Sequence, residues 1–302
     1  MIAGMPPLID ALAAGPVVLD GGLSTELEAR GHDVSSALWS ARLLRDDPEA
    51  IVTAHAAFSM AGAQVATTAS YQATFDGFAA AGIDRAGTAR LITSSVALAR
   101  RGAPDSWVAG SVGPYGAMLA DGSEYTGGYV DAVGVRGLRE FHRPRMELLA
   151  GAGADVLACE TVPAAAEAEA LVAEAQALGV PIWLSLTTVT GDDGVVRTRR
   201  GERAGDVFAM AADVDEVVAV GVNCTDPAGV GPAIGAAARS GKPVVVYPNS
   251  GEVWDAVGRR WTGSPGISPD DVPGWVAAGA RLVGGCCRVR PQHIAAIAAA
   301  VT

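Results

Sequence analysis

Three of the four cysteines in this chain occupy two short motifs that suit metal binding. Cys224 follows Asn223, and Cys286 and Cys287 stand side by side within Gly284–Arg288. Thiolates are soft ligands that favour zinc, and a catalytic zinc site usually combines three protein ligands with one open position. The spacing is not the paired C-x-x-C of a structural zinc ribbon. The pattern favours a catalytic zinc centre formed by distant segments, with simple burial of the thiols as the alternative.

Two acidic residues stand where they could hold the positive charge of a substrate. Asp20 ends an apolar segment that begins at Val17, and Glu160 follows Cys159 at the end of another apolar segment. Carboxylates in such places attract an ammonium group, whereas capping a helix or pairing with an arginine is the structural alternative. We predict that Cys159 is a small buried side chain outside the metal site, because its neighbour Glu160 is the better pocket residue.

The histidines and the single lysine narrow the chemistry further. His32, His55, His142 and His293 all lie away from the ends of the predicted strands, so a histidine-centred metal or general-base site is not expected. Lys242 precedes a predicted strand and would lie at the amino end of an α/β barrel. Because the catalytic groups of such barrels lie at the opposite end, a Schiff-base enzyme is excluded.

The elements that must position these residues alternate regularly along the chain. Eight short apolar segments are each followed by a longer amphipathic segment, which is the pattern of a (β/α)8 (TIM) barrel. The predicted strands are Val17–Asp20, Gln64–Thr68, Trp107–Val112, Asp155–Glu160, Pro181–Thr187, Glu216–Asn223, Pro243–Pro248 and Arg281–Cys286. The predicted helices are Pro48–Ala61, Arg85–Arg101, Val130–Ala150, Ala164–Leu178, Ala204–Ala212, Ala228–Ser240, Pro269–Ala278 and Pro291–Val301. We predict one barrel domain over residues 1–302.

A barrel would bring the candidate residues together, because the carboxyl ends of its strands share one mouth. The cysteines follow the sixth and eighth predicted strands, whose ends approach each other across that mouth. Adjacent cysteines reach one ion only if the chain turns there, and Gly284 and Gly285 are expected to provide that flexibility. The alternative fold, an open doubly wound sheet, would need a G-x-G-x-x-G turn after the first strand, and Asp20–Ser24 is not one.

Composition limits the partners and the location. The chain has 302 residues, is 50% apolar and carries a formal net charge of −11, which makes it a poor partner for nucleic acid. No apolar run is long enough to cross a bilayer, and residues 1–15 lack the basic region of a secretory signal. We expect a cytoplasmic protein without nucleic-acid or membrane partners, and the sequence predicts no oligomeric state.

Nine short motifs that match one known family are spread over almost the whole chain. They are Leu19–Leu27, Thr67–Ala73, Ser111–Gly116, Asp121–Tyr125, Phe141–Arg145, Ala158–Thr161, Gly221–Cys224, Tyr247–Glu252 and Gly284–Arg288. In these motifs the sequence resembles the homocysteine S-methyltransferases, and most closely the branch that uses S-methylmethionine. The Asn-Cys motif together with Gly-Gly-Cys-Cys-Arg is the most specific part of the resemblance.

The resemblance implies a barrel fold and a site of known composition. It implies that Cys224, Cys286 and Cys287 hold Zn²⁺, and that the amino-acid group of homocysteine lies near Asp20 and Glu160. Sulfonium donors, S-methylmethionine or S-adenosylmethionine, would supply the methyl group.

Four further residues are predicted to contact the substrates. Asn223 is placed with the substrate site by its motif, and Tyr71 matches a tyrosine that can bind zinc in a betaine-using relative when substrate is absent. The methyl donor is a cation, which aromatic faces and carboxylates bind. Trp39, Tyr71 and Tyr115 are therefore candidates for the donor site, with Glu124 nearby in sequence.

Two segments depart from the family pattern without touching the cysteines. Ser35–Ser40 lacks the Asp-Pro that relatives usually have before Leu-Trp-Ser, and Arg197–Glu202 carries additional arginines. Both are expected to affect donor binding or the shape of the loops.

The resulting hypothesis is a zinc-dependent homocysteine S-methyltransferase. The zinc-bound homocysteine thiolate would take the methyl group and become methionine, and no general base is needed because the departing thioether is neutral. One alternative is a barrel lyase or isomerase that binds a phosphorylated small molecule at Gly284 and Gly285. Another is a zinc-binding or thiol-binding protein without catalysis. Oxidation is expected to join Cys286 to Cys287 and expel the metal.

Overall fold

The computed structural model describes residues 5–35, 38–255, 260–262 and 267–301. Within these ranges, eight parallel strands form one sheet. The strands are β1 (Val17–Val18), β2 (Val65–Thr67), β3 (Trp107–Val112), β4 (Val156–Val162), β5 (Ile182–Leu186), β6 (Val217–Asn223), β7 (Val244–Tyr247) and β8 (Ala280–Val283). Each coincides with a predicted strand to within a few residues at its ends.

The sheet curls until its first and last members meet. Its order is β1-β8-β7-β6-β5-β4-β3-β2, and a parallel bridge between Leu19 and Val65 joins the two ends. The backbone N–H of Gln64 donates to the Val18 carbonyl at 2.8 Å, and the Val18 N–H donates to Gln64 Oε1 at 2.9 Å. The strands therefore form an almost closed barrel, and the predicted (β/α)8 fold is confirmed.

The helices cover the outside of the barrel, except the first, which precedes β1. They are α1 (Leu8–Ala14), α2 (Leu23–Ala29), α3 (Leu43–Asp46), α4 (Pro48–Met60), α5 (Phe75–Ala80), α6 (Arg85–Gly102), α7 (Tyr115–Leu119), α8 (Val130–Gly151), α9 (Ala165–Leu178), α10 (Ala204–Ala209), α11 (Val230–Ala237), α12 (Val272–Ala277) and α13 (Pro291–Val301). Short 3-10 turns occupy Trp39–Arg42, Ser123–Tyr125, Pro227–Gly229, Ala238–Ser240 and Pro269–Asp271. The eight predicted helices are all present, although two of them end or begin in a 3-10 turn.

Local sequence explains where several helices begin. Asp47 and Asp84 accept hydrogen bonds from the third residue of α4 and α6, which satisfies amide groups that a helix start leaves free. Pro48 occupies the first position of α4, where a missing N–H costs nothing. Inside α8 the helix is interrupted at Gly134, whose φ of 66° departs from helical geometry.

Two layers of apolar side chains hold the barrel together. Strand residues such as Leu19, Val65 and Trp183 fill the interior, while Ile51 and Phe208 belong to a larger cluster that also contains strand residues facing the helices. Helix α1, which the sequence analysis did not predict, adds Leu8 and Leu12 to the interior layer. The indole N–H of Trp107 donates to the Pro6 carbonyl at 3.0 Å, so the N-terminal segment closes the amino end of the barrel.

Two short hairpins were also not predicted. One pairs Thr188–Thr190 with Val196–Thr198 after β5, and the other pairs Val253–Asp255 with Arg260–Thr262 after β7. Three-residue strands carry too few side chains to show a period in the sequence. No helix in the described parts of the chain is long and apolar enough to cross a membrane.

Candidate active site

A cavity opens at the carboxyl end of the barrel, where the loops after the strands meet. Counted out to its open mouth and including solvent space, it measures about 800 Å³. Its lining includes three groups of side chains that can do chemistry, namely the cysteines Cys224, Cys286 and Cys287, the carboxylates Asp20, Glu124 and Glu160, and the tyrosines Tyr71, Tyr125 and Tyr247. The strand ends that the sequence singled out therefore do share one space.

The three cysteines converge on one side of this cavity. Cys224 follows β6, and Cys286 and Cys287 follow β8 by three and four residues. Their sulfur atoms all lie within 4.8 Å of one another, a separation that allows one metal ion to touch all three. Cys159 lies fully buried elsewhere, with its thiol free, as predicted.

The two nearest sulfurs belong to different strand ends. Cys224 and Cys286 face each other with a Cα–Cα distance of 5.7 Å, and the Cys287 sulfur lies 4.0 Å from that of Cys224. Disulfides span Cα–Cα distances of roughly 4.4–6.8 Å, whereas adjacent residues lie about 3.8 Å apart. Cys224 is therefore the better-placed partner for Cys286, and the predicted oxidation of Cys286 with Cys287 stays a prediction.

Backbone contacts from the loop after β7 hold the adjacent cysteines in place. The Cys286 N–H donates to the Pro248 carbonyl at 2.7 Å, and the Cys287 N–H donates to Asn249 Oδ1 at 3.1 Å. The Ser250 N–H in turn donates to the Cys287 carbonyl at 2.9 Å. The presentation of the two thiols therefore depends on residues that are not themselves candidate ligands.

The turn after β8 owes little to glycine flexibility. The left-handed residues near the cysteines are Cys224 itself, with φ 46°, and Arg288, with φ 67°. Gly284 and Gly285 are needed for close packing instead, since a Cβ atom would lie 2.6 Å from Leu19 Cβ at the first and 2.2 Å from Val289 Cγ1 at the second. The expected role of these glycines is corrected accordingly.

The carboxylate of Asp20 lines the same cavity, and the Asp20 carbonyl accepts a hydrogen bond from the Gly285 N–H at 3.1 Å, just before the adjacent cysteines. Its two oxygens accept hydrogen bonds from the Thr67 N–H at 2.7 Å and from Thr67 Oγ1 at 2.8 Å. Burial raises the pKa of Asp20 to about 7, and the nearby charge of Glu160 contributes to the rise. Ionisation of this group is therefore costly until a positive partner arrives.

Glu160 is likewise a buried, hydrogen-bonded carboxyl group. Its carboxylate accepts hydrogen bonds from the Ser111 hydroxyl and from the Tyr247 hydroxyl. Burial raises the pKa of Glu160 to about 7, against the lowering effect of these hydrogen bonds. The Trp183 indole N–H donates to the Tyr247 oxygen at 2.9 Å, which fixes that tyrosine in the barrel interior.

Two tyrosines connect the carboxylate side to the sulfur side. The Tyr71 hydroxyl interacts with the Thr161 side chain, and burial raises the Tyr71 pKa well above its usual value. The Tyr125 hydroxyl interacts with Cys287, and its pKa is likewise raised by burial. Burial also raises the pKa of the Cys287 thiol to about 11. Without a metal, this thiol is thus uncharged at neutral pH.

Residues 17–301 match the family described as homocysteine S-methyltransferase. The homocysteine S-methyltransferase YbgG of Bacillus subtilis (strain 168) is 41% identical over 98% of each chain. The homocysteine S-methyltransferase of Escherichia coli (strain K12) is 45% identical over 94% of each chain. This chain belongs to the homocysteine S-methyltransferase family. It is accordingly an enzyme of the methyltransferase class.

A solved structure of the family is also similar in fold. The homocysteine methyltransferase MmuM from E. coli, in its metallated form, aligns with a TM-score of 0.85 and 43% identity, covering 97% of this chain and 99% of that one. That relative therefore holds a metal. In this chain, Cys224, Cys286 and Cys287 are the group found among the described residues that could hold a metal ion.

Some of the residues predicted to contact the substrates of this methyltransferase line the cavity, and others do not. Asp20, Glu160 and Tyr71 line it. Asn223 does not, because its side chain is fully buried and bonded to Thr161 and Ser185.

Those bonds use both ends of the Asn223 amide. Its Oδ1 accepts from the Thr161 N–H at 2.7 Å and from Ser185 Oγ at 2.8 Å, while Nδ2 donates to Thr161 Oγ1 at 2.7 Å. Asn223 thus fixes Thr161, whose φ is 60°, directly after Glu160.

The two other aromatic candidates are placed differently. The Tyr115 ring packs against Tyr129 and Phe141, with ring centroids 5.1 and 4.8 Å away, and is absent from the cavity lining. Trp39 begins a 3-10 turn, but its side chain lies outside the described part of the chain, as do residues 36 and 37 of the divergent Ser35–Ser40 segment.

The divergent arginines lie near the rim of the methyltransferase site. The Arg199 guanidinium stacks 5.7 Å from the centre of the Tyr125 ring and donates to Thr187 Oγ1 at 3.2 Å. Arg200 pairs with Asp131 at 3.1 Å, and Arg197 pairs with Asp193 at 2.6 Å. Arg199 is therefore the member of this cluster that contacts a cavity-lining residue.

A buried charged network behind the cavity was missed by sequence reasoning. Fully buried Arg145 donates to the carbonyls of Gly113 and Tyr71 and contacts His142, which in turn bonds to Glu167 at 2.8 Å. The network fixes the loops that contain Tyr71 and Gly113, beside the cavity. The only available signal was the Phe141–Arg145 motif, because a histidine in a helical pattern usually indicates ordinary packing.

Proposed function

We propose that this enzyme transfers a methyl group from a sulfonium donor to the sulfur of homocysteine and releases methionine. In this proposal Zn²⁺ is held by Cys224, Cys286 and Cys287, and the donor is S-methylmethionine or S-adenosylmethionine. The observation that carries it is the convergence of three cysteine sulfurs, within 4.8 Å of one another, in the same cavity as two buried carboxylates. The proposal treats residues 1–302 as one catalytic domain, and a cytoplasmic location stays a prediction.

The chemistry of the three ligands supports zinc in particular. Three thiolates form a soft, electron-rich set, which zinc accepts and which hard ions such as Mg²⁺ do not. Three protein ligands also leave one position for a substrate atom, as in other catalytic zinc sites. Bound zinc supplies a lowered pKa for a coordinated substrate thiol, so that its sulfur is available as a thiolate at neutral pH. The site requires all three cysteines in their reduced form.

Asp20 and Glu160 are proposed to hold the ammonium group of homocysteine. Both are nearly fully buried, and burial raises the pKa of each to about 7. A bound cation would offset the cost of ionising them, and their hydrogen bonds to Thr67 and Ser111 fix their orientation. Homocysteine would then lie with its amino-acid end at the carboxylates and its sulfur toward the cysteines.

For methyl transfer, the protein mainly has to position the two substrates and provide a suitable electrostatic environment. The homocysteine sulfur attacks the methyl carbon of the donor in line, a new S–C bond forms and the donor's S–C bond breaks. The electron pair of that bond stays on the donor sulfur, which leaves as a neutral thioether, so no proton has to be moved on the donor. Holding the two sulfurs on either side of the methyl carbon is the main contribution.

The donor cation is proposed to lie against the Tyr71 ring, which lines the cavity. Trp39 remains a donor candidate. Asn223 is proposed to act indirectly, by fixing Thr161. Tyr115 is proposed to act only through packing, because its ring faces Tyr129 and Phe141.

The phosphate-binding alternative finds no support in the cavity. Among the described residues, its lining contains neither arginine nor lysine, and three carboxylates face the same space. An anionic substrate would meet repulsion there, whereas a cation is stabilised.

The test is methionine formation from homocysteine under reducing conditions, with each sulfonium donor in parallel and with zinc content measured on the same sample. We expect turnover with at least one donor, and the ratio of kcat/KM identifies the preferred one. Zinc-loaded protein that releases no methionine with either donor would refute the proposal.

A further inference from the structure

Two buried acceptor atoms in the cavity have no hydrogen-bond partner among the described residues. They are Glu124 Oε2 and Gln72 Oε1, and both residues line the cavity. Glu124 is 7% exposed and Gln72 is 4% exposed, so water does little to satisfy them. A buried acceptor without a donor destabilises the folded protein, because it has lost its hydrogen bonds to water. Such a pair indicates a ligand that brings N–H or O–H groups.

Both residues are fixed to the same short helix, α7. The Gln72 Nε2 donates to the Ala117 carbonyl at 2.9 Å, which leaves the amide oxygen turned away from that bond. The Glu124 backbone packs so tightly on Gly116 that a Cβ there would lie 2.4 Å from the Glu124 nitrogen. Their positions are therefore set by the fold before any ligand binds.

This pair is distinct from Asp20 and Glu160, which already have hydrogen-bond partners in Thr67 and Ser111. Glu124 lines the same cavity as Tyr71 and Cys287. The cavity thus offers a further acidic residue whose acceptor atom, unlike those of Asp20 and Glu160, has no donor among the described residues. Methyl transfer between two amino acids would need two acidic positions.

We propose that Glu124 and Gln72 bind the ammonium group of the methyl donor and so select sulfoniums that are amino acids. This inference rests on the proposed methyl transfer and specifies one of its substrates. An ammonium group carries N–H donors for both oxygens, whereas a sulfonium sulfur carries none. A site that would leave buried acceptors unpaired discriminates against donors that lack the group.

The experiment compares two donors in Glu124→Gln, with Asp121→Asn as the matched control. Asp121 is exposed and lies in the same loop, so its variant removes one nearby negative charge without touching the cavity. The donors are S-methylmethionine and 3-(dimethylsulfonio)propanoate, a sulfonium without an ammonium group. Zinc content, circular dichroism and the KM for homocysteine are measured for every protein.

We expect wild type to prefer S-methylmethionine, and Glu124→Gln to lose about 10–100-fold in kcat/KM for it, through KM. The value for 3-(dimethylsulfonio)propanoate, the KM for homocysteine and the zinc content should be unchanged, and Asp121→Asn should match wild type. An equal loss with both donors would overturn the ammonium assignment. A rise in the homocysteine KM instead would place Glu124 in the acceptor site and overturn it as well.

Calorimetric binding of S-methylmethionine separates this inference from the proposed function, because it needs no turnover. Weaker binding to Glu124→Gln than to wild type supports the donor site even if no methionine is formed. Equal binding to both proteins would refute the donor site while leaving methyl transfer to be judged by its own assay.

Discussion

The two sides of the cavity are constructed in different ways. On the sulfur side, the positions of Cys286 and Cys287 are set by backbone hydrogen bonds and by one side chain, Asn249. On the carboxylate side, hydroxyl groups orient Asp20 and Glu160, with the Thr67 N–H as a further donor to Asp20, and burial raises the pKa of both carboxyl groups.

This difference has a functional consequence. Loss of one ligand releases the metal ion, so replacing a cysteine on the sulfur side should abolish activity. The pKa of a buried carboxyl group shifts gradually with its surroundings. Changes on the carboxylate side should therefore weaken substrate binding without abolishing it.

The largest expected effect is the loss of one ligand. Cys287→Ser should lose zinc and at least about 100-fold in kcat, since even residues behind the ligands contribute 10–100-fold. The fold should persist, because Cys287 lies on the cavity surface rather than in the apolar layers. Zinc content by mass spectrometry and thermal unfolding provide the measurements.

Cys159→Ala is the matched control for that variant. Cys159 is fully buried and away from the cluster, so its replacement should cost stability through a small cavity but leave the zinc content intact. A full zinc complement with normal rates in Cys287→Ser would contradict the assignment of the sulfur side.

A smaller effect is expected from the residue that supports the ligands. Asn249→Ala removes the 3.1 Å bond to the Cys287 N–H and should weaken zinc binding about 10–100-fold, measured by competition with a chelator. Thr67→Val, which removes the hydroxyl bond to Asp20, should leave zinc affinity unchanged and weaken homocysteine binding. If both variants lost zinc equally, the two sides would not be independent.

The sequence predicted which residues lie at the cavity, but not how the cysteines face each other. The strand pattern and the motif ends placed Cys224, Asp20 and Glu160 at one mouth, because the geometry of a parallel barrel follows from its period. It could not predict that Cys286 faces Cys224, since that depends on how two distant strand ends face each other.

The contacts that hold the site residues in place could not be predicted from the sequence either. The bond from the Cys287 N–H to Asn249 joins residues 38 positions apart, and the buried contact of Arg145 with the Tyr71 carbonyl spans 74. Neither leaves a periodic pattern, because each depends on one side chain and on loop geometry. The misjudged role of Gly284 has the same origin, since close approach to Leu19 is a tertiary contact.

The pH dependence of substrate binding should come from the carboxylate side. With the pKa of both Asp20 and Glu160 raised to about 7, only about a tenth of each group is ionised at pH 6. Methionine, which has no thiol to titrate, should therefore bind zinc-free reduced protein about tenfold more weakly at pH 6 than at pH 8. Isothermal calorimetry at the two pH values measures this.

The same groups should affect stability with the opposite sign. Because their pKa values are higher in the fold than in the unfolded chain, they stabilise the ligand-free protein below pH 4, and this contribution is lost as pH rises to about 7. Glu160→Gln should flatten part of this slope in urea unfolding. A stability that rises from pH 4 to pH 7 by the same groups would contradict the raised pKa values.

The smallest expected effects separate two tyrosines that looked equivalent in the sequence. Tyr71 lines the cavity, so Tyr71→Leu should raise the KM for the donor by about 2–30-fold, the range of a cation–π contact. Tyr115→Leu should change that KM by less than about twofold. It should instead lower the free energy of unfolding by about 1–3 kcal/mol, because its ring packs on Tyr129 and Phe141.

Steady-state kinetics and urea unfolding on both variants decide between these roles. The Tyr115 backbone N–H donates to Glu167 Oε1 at 2.7 Å whatever its side chain, so α7 should keep its place in Tyr115→Leu. Tyr115→Phe is the matched control, since it retains the ring and should retain the stability. A rise in donor KM for Tyr115→Leu without a loss of stability would mean that the ring reaches the donor after all, and that α7 moves when substrate binds.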